Sequence, residues 1–170
     1  MSTPYVLNSR KRLSEKVVQK VRSLAKPTFL AFNFFKAAAL QLRAAEMSID
    51  KNYASVKGAE EYQKLCRDLV ELRALEKINE WEEDEKVLFF LLAHNTLVCH
   101  SMLQFGPPPL ALLDAPNKLG YFLGEHFYTL NEMRQVLLSD KKSLISRRDP
   151  RVHFALLDLE NDSPVTLFQI

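Results

Sequence analysis

Glycine is scarce in this chain, with four in 170 residues: Gly58, Gly106, Gly120 and Gly124. None sits in a GxSxG elbow, a phosphate loop or a GxGxxG turn, where the backbone must bend sharply or approach a ligand closely. Serine-hydrolase, ATP and dinucleotide readings therefore have no motif to stand on. Cysteine is rarer still. Cys66 and Cys99 each lie inside a helical pattern, which suits free buried thiols in a reducing compartment better than a disulfide framework. A large excess of one charge is also missing: the net charge is +2, so no nucleic-acid partner is expected. The opening MSTPYVLNSRKR has no apolar core behind its charges and no visible secretory signal, and the expected location is cytoplasmic. There is no internal repeat and no low-complexity tract.

What is present suits an ordered domain. At 47% hydrophobic and 26% charged, the chain has enough apolar surface for a core and too little charge for disorder. Residues 82–106, EEDEKVLFFLLAHNTLVCHSMLQFG, organise the rest. Carboxylates gather where a helix N-terminus concentrates free N–H groups and positive dipole. Apolar residues then run from Val87 to Phe105, and Gly106 with Pro107–Pro109 ends the helix. The run is long enough for a bilayer, but His94, Asn95, His100 and Gln104 would be costly at its middle. The expectation is a buried core helix.

Residues 10–26, RKRLSEKVVQKVRSLAK, carry seven Lys/Arg against one Glu. Leu13, Val17, Val18, Val21 and Leu24 recur at helical spacing, giving one apolar and one basic face. The plain reading is a solvated basic face. The sharper one is docking to an acidic protein partner or an anionic membrane surface. Residues 1–27 thus form a basic amphipathic N-terminal helix, and residues 28–170 the main domain.

Residues 28–46 predict a core helix marked by Phe29, Phe32, Phe34 and Phe35. Met47–Gly58 reads as a connection with Asp50 and Asn52 as turn formers. Residues 59–78 predict an amphipathic helix with the stripe Tyr62, Leu65, Cys66, Leu69, Leu72 and Leu75, supported by a Glu60–Lys64 pair. Gly106–Asn117 reads as a Pro-rich loop. Lys118–Tyr128 predicts a hairpin turning at Gly124-Glu125. Thr129 and Glu132 form a capping box opening a helix at Leu130–Leu138. Residues 139–151 form a basic loop with Lys141, Lys142, Arg147, Arg148 and Arg151. Val152–Leu157 reads as a buried strand, and residues 160–170 as a turn and a final strand. The fold class is α+β, predominantly α-helical: four longer helices plus a small β-hairpin and strand portion toward the C-terminus.

Metal and thiol chemistry have thin support. His94 and His100 are six apart, so on a helix they diverge by about 120°, and no cofactor or metal is expected. Cys99 could meet His126 or His153 as a nucleophile pair, but nothing local enforces it. A cysteine on an apolar helix face is ordinarily an inert small hydrophobe.

Four segments together resemble a known family. EKVLFFLLAHNTLVCHSMLQFG is similar to its core, which has Asn, Tyr, Asn and His at the positions of Leu92, His94, Asn95 and His100. GYFLGEHFYTLNEMRQVLL is similar to its glycine hairpin and following helix, DPRVHFALLD to its HFAL motif, and IDKNYASVKGAEEYQKLCRDLVEL to the segment before them. The chain is identified on this basis as a DUF547 member over roughly residues 12–160. The family occurs alone or after glutaredoxin and DEP domains, and the basic helix resembles the connection that follows the DEP part. Its residue types imply a thiol or acid–base site. Here its second hairpin Gly is Glu125, its Glu-His pair is Arg134-Gln135, the next Arg is Ser139 and the Cys after HFAL is Asp158. Only Ser163-Pro164 is similar to its Ser-x-Pro turn, and the chain is short at its C-terminus relative to the family.

The apolar scaffold persists while most of the polar set is replaced. We therefore expect a non-catalytic interaction or scaffolding module, with Arg10, Lys11, Arg12, Arg147 and Arg148 as partner-binding residues. The competing expectation is a hydrolase- or transferase-like enzyme using His100 and His153 with Asn95 orienting one of them. It requires the three side chains to converge in one pocket.

Overall fold

The computed structural model describes residues 4–8, 13–23, 27–47, 53–106, 115–139, 144–146 and 149–156. Arg10, Lys11, Arg12, Lys141, Lys142, Arg147, Arg148 and Asp158 lie outside these, as do the loop after Gly106 and the expected final strand.

The architecture is α+β and predominantly helical. Strand β1 is Tyr5–Val6, followed by helices α1 (Glu15–Ser23), α2 (Pro27–Met47), α3 (Tyr53–Lys57) and α4 (Glu60–Asp68). Two 3-10 segments, Leu69–Ala74 and Ile78–Glu80, lead into α5 (Glu83–Phe105). Then come α6 (Ala115–Lys118), strands β2 (Leu119–Leu123) and β3 (His126–Thr129), α7 (Leu130–Leu138) and α8 (Arg151–Ala155).

Helix α5 is the axle. Glu82 stands at its N-cap position without a side-chain cap, and Glu83, Asp84 and Glu85 fill its first turn, where the dipole favours carboxylates. It ends at Gly106, which adopts φ 84° and sends its N–H to the Met102 carbonyl. Among the described residues it alone has the length and apolarity to cross a bilayer, and 72% of that apolar window is buried within the fold. Phe89, Phe90, Leu97, Cys99 and Leu103 are fully enclosed. A chain of edge-to-face rings runs from Trp81 through Phe89 and Phe90 to Tyr128, tying α5 to β3.

Helix α2 is the main partner of α5. Ala31, Ala38 and Ala45 recur every seventh position and are buried with Phe34 and Leu42, so small side chains let the two backbones approach closely. Pro27 opens α2, a first-turn position where its missing N–H costs nothing. Of the four phenylalanines expected in the core, only Phe34 is buried; Phe35 is half-buried, while Phe29 and Phe32 are exposed. The reason is angular: at 100° per residue Phe29 falls opposite the Ala38–Leu42 face.

Three further expectations change. Within the Met47–Gly58 connection the chain forms α3, whose Val56 is buried. The helix expected through residue 78 ends at Asp68 and tightens to 3-10 geometry. Its stripe of Tyr62, Leu65, Leu69, Leu72 and Leu75 is nevertheless buried, and Lys64 pairs with Asp68 at 2.7 Å. The strand expected at Val152–Leu157 is instead helix α8. Pro150 is already helical, and the Asp149 carboxylate accepts from the Arg151 N–H at 2.9 Å. Asp-Pro therefore starts a helical turn that buries Val152 and leaves Phe154 84% exposed, where a strand would bury both on one face.

The hairpin forms as expected, with Leu123 paired to His126 across a two-residue turn. Gly124 has φ 63° and Glu125 a negative φ. Only the first central residue of such a turn needs glycine, so Glu125 is tolerated. Thr129 and Glu132 form the reciprocal capping box of α7. Strand β1, which the sequence does not announce, adds in parallel to β2. Behind it Asn8 is fully buried, donating to the carbonyls of Phe122 (2.8 Å) and Leu69 (3.4 Å) and accepting from the Phe122 N–H (2.9 Å). This one side chain joins the N-terminus, the sheet and the 3-10 segment.

Candidate functional site

The chemistry-bearing side chains gather where side chains of α4, α5 and β2 meet. On α4, Tyr62 and Cys66 are four apart and share a face. On α5, His100 and Gln104 do the same in the opposite sense. The Tyr62 hydroxyl donates to Gln104 Oε1 at 2.9 Å, and Cys66 Sγ lies 3.6 Å from His100 Nε2. The other imidazole nitrogen, Nδ1, meets the Tyr121 hydroxyl at 2.8 Å. The Tyr62 ring stands edge-on to the imidazole at 5.8 Å. The result is a polar cluster linking two helices and the central strand, with His100 and Tyr121 buried and Gln104 and Cys66, a thiol expected to be buried, half-buried.

Its electrostatics favour uncharged groups. His100 is enclosed, and burial pushes its pKa down to about 4. Burial pushes the Cys66 thiol up, against weaker opposing pulls from the Tyr62 hydroxyl and the Arg67 charge. Burial likewise raises Tyr121 and Tyr62. A nucleophilic cysteine needs its proton transferred to the imidazole, giving a thiolate–imidazolium pair. Here desolvation opposes both charges. A neutral ring between one hydroxyl and one thiol has both nitrogens satisfied, one giving and one taking.

The other expected site residues lie elsewhere. Asn95, five residues before His100, is turned about 140° from it on the helix. Its Nδ2 donates to the Ala155 carbonyl at 2.9 Å, and its Oδ1 sits 3.3 Å from His94 Nδ1. Asn95 thus holds α8 against α5. His153, on α8, is exposed and stands edge-on to Phe154 at 5.9 Å. His100 and Asn95 have separate sets of partners, and His153 is on the surface. Cys99 is buried in the core. The thiol in contact with an imidazole is Cys66. Each helix offers only an i,i+4 spacing, Tyr62/Cys66 and His100/Gln104, which sets a shared face but not which helix it meets.

Two grooves flank this scaffold. One, of about 620 Å³, lies between the first half of α5 and α8 and carries Glu83, Asp84 and Asp149 with Arg151. Arg151 already donates to both Asp149 oxygens, to Oδ1 at 3.0 Å from Nε and to Oδ2 at 2.6 Å from a terminal nitrogen. The other, of about 670 Å³, lies between the hairpin turn and the 3-10 segments and mixes Arg73, Lys77 and His126 with Glu76 and Glu125. The Arg73 guanidinium sits over the Phe122 ring, 5.0 Å from its centre. Neither groove is lined by Cys66, His100 or Asn95. Among the described residues no three His, Cys, Asp or Glu side chains are placed to hold a metal ion.

A mostly helical α+β domain with a small sheet and a partly buried Cys–His contact is the class these features define. The chain belongs to the family described as "Protein of unknown function, DUF547", which it matches over residues 78–168, just over half its length. That span runs from the second 3-10 segment through α5, the hairpin, α7 and α8. No curated protein and no solved structure matches the chain.

Proposed function

We propose that this DUF547 domain is a non-catalytic interaction or scaffolding module of the cytoplasm. The observation that carries the reading is the Cys66–His100 contact, in which burial holds both partners in their uncharged forms. Asn95 supports it too, since its amide is engaged by a backbone carbonyl of α8. The two thiols are free, in keeping with a reducing compartment. The partner is a protein with an acidic surface, engaged by the basic segment around Arg10, Lys11 and Arg12 and by the loop carrying Arg147 and Arg148. Their charge, with few acids nearby, supports that choice.

Alkylation of Cys66 by iodoacetamide, followed from pH 5 to 10, tests the non-catalytic part. The rate should rise only in the alkaline range, as for an unactivated thiol. A fast reaction with an inflection below pH 7 would establish an activated nucleophile and defeat the reading. For the partner, the Arg10→Gln/Lys11→Gln/Arg12→Gln variant should lose capture of acidic proteins that the native chain retains. Equal capture by both would remove these residues from the interface.

A further inference from the structure

The exposed side of α2 is a single straight stripe. Phe29, Phe32, Asn33, Lys36, Leu40, Arg43, Ala44 and Met47 are its exposed residues. At 100° per residue they all fall within about 60° of one line. Phe29 is 64% exposed, Phe32 50%, Leu40 55% and Met47 74%. These four are half of the large hydrophobics exposed among the described residues, and they lie on one helix. At 1.5 Å per residue the stripe is about 27 Å long.

Charge narrows the choice of what covers it. Lys36 and Arg43 lie between the apolar side chains, and no carboxylate is among the exposed side chains described on α2. Directly before α2 come residues 10–26, with seven Lys/Arg against one Glu. A second copy fits poorly. Two such stripes face to face would bring four cations, Lys36 and Arg43 from each copy, into one seam, a costly burial. A bilayer surface suits both features. Phe, Leu and Met side chains enter the acyl boundary, while the long stems of Lys36 and Arg43 carry their charges back to anionic headgroups.

We infer that the Phe29–Met47 stripe of α2, with Lys36 and Arg43 interleaved among its exposed apolar side chains, docks the domain on an anionic membrane surface with α2 lying in its plane. This goes beyond the acidic protein partner proposed above and uses other residues. It stands whether or not the domain is catalytic.

Flotation of the full chain with phosphatidylcholine vesicles containing 30 mol% phosphatidylserine, against pure phosphatidylcholine vesicles, tests it. Binding should be at least tenfold stronger to the anionic vesicles and weaken at high salt. Phe29→Glu/Met47→Glu should reduce it tenfold or more with an unchanged unfolding midpoint, since both sites are exposed. Phe154→Glu, at an exposed site on α8, should leave it unchanged. Absence of binding to the anionic vesicles would overturn the inference. So would equal loss with Phe154→Glu. Binding that survives Phe29→Glu/Met47→Glu but vanishes with Arg10→Gln/Lys11→Gln/Arg12→Gln would assign the contact to the basic segment and overturn it too. A dimer in solution that Phe29→Glu/Met47→Glu dissociates would give the stripe to a second copy instead.

Discussion

Helices α2 and α5 are alike in length, 21 and 23 residues, and both are rich in apolar residues, yet they live in different surroundings. From Leu92 to Ser101 every residue of α5 is buried. It packs against α2, α3, α7 and β2. Helix α2 meets α3, α4 and α5 on one face, and its other face is the exposed stripe. Apolar content is therefore a poor guide to burial. The number of sides on which neighbours pack decides it.

The largest expected effect is at Phe90 of α5, fully buried between Phe89 and Tyr128. Phe90→Ala should cost about 3–5 kcal/mol in urea unfolding, whereas Phe29→Ala on α2 should change stability by less than about 0.5 kcal/mol. Similar losses at the two sites would mean that the helices are equally enclosed.

The next effect is a pH dependence belonging to α5. A buried His100 with its pKa near 4, against an ordinary value of about 6.5 in the unfolded chain, makes the unfolded state the better proton acceptor. Its stabilising contribution is complete above about pH 6.5 and is lost as the pH falls toward 4. The loss is roughly 3 kcal/mol, measured as the difference in pH dependence between the native chain and His100→Gln. Identical slopes for the two proteins would show that His100 is already charged or solvated.

Asn8→Ala removes the side chain shared by the Phe122 N–H and two carbonyls and should cost about 2 kcal/mol. A neutral result in urea unfolding would mean water replaces it. The smallest effect belongs to the ion pair from α1 to the first 3-10 segment, Lys20 with Glu71, whose lysine side chain is 59% exposed. Lys20→Ala should cost under about 1 kcal/mol, less at high salt.

Legibility in the sequence followed the range of the interactions. The capping box at Thr129, the turn at Gly124 and the acidic start and glycine stop of α5 are set by residues within a few positions, and all were readable. The orientation of Phe29 and Phe32 was not, because it depends on which face of α2 meets α5. Nor was α8, whose Val152 and Phe154 fit a strand until Asp149-Pro150 is seen to start a helical turn. The Asn8 bonds reach 114 positions along the chain and the Cys66–His100 contact 34. No local pattern carries such pairings. Of the site, the identities of Asn95, His100 and His153 were legible, but the separation of Asn95 from His100 and the pairing with Cys66 came only from the fold.

The account turns on whether the ring between Cys66 and Tyr121 carries a charge. Titration of the His100 imidazole by nitrogen-15 NMR in the folded chain measures this directly. The account predicts a neutral ring down to a midpoint of about pH 4. A ring that stays protonated through neutrality and reverts to an ordinary midpoint in Cys66→Ser would reveal a thiolate partner and contradict it.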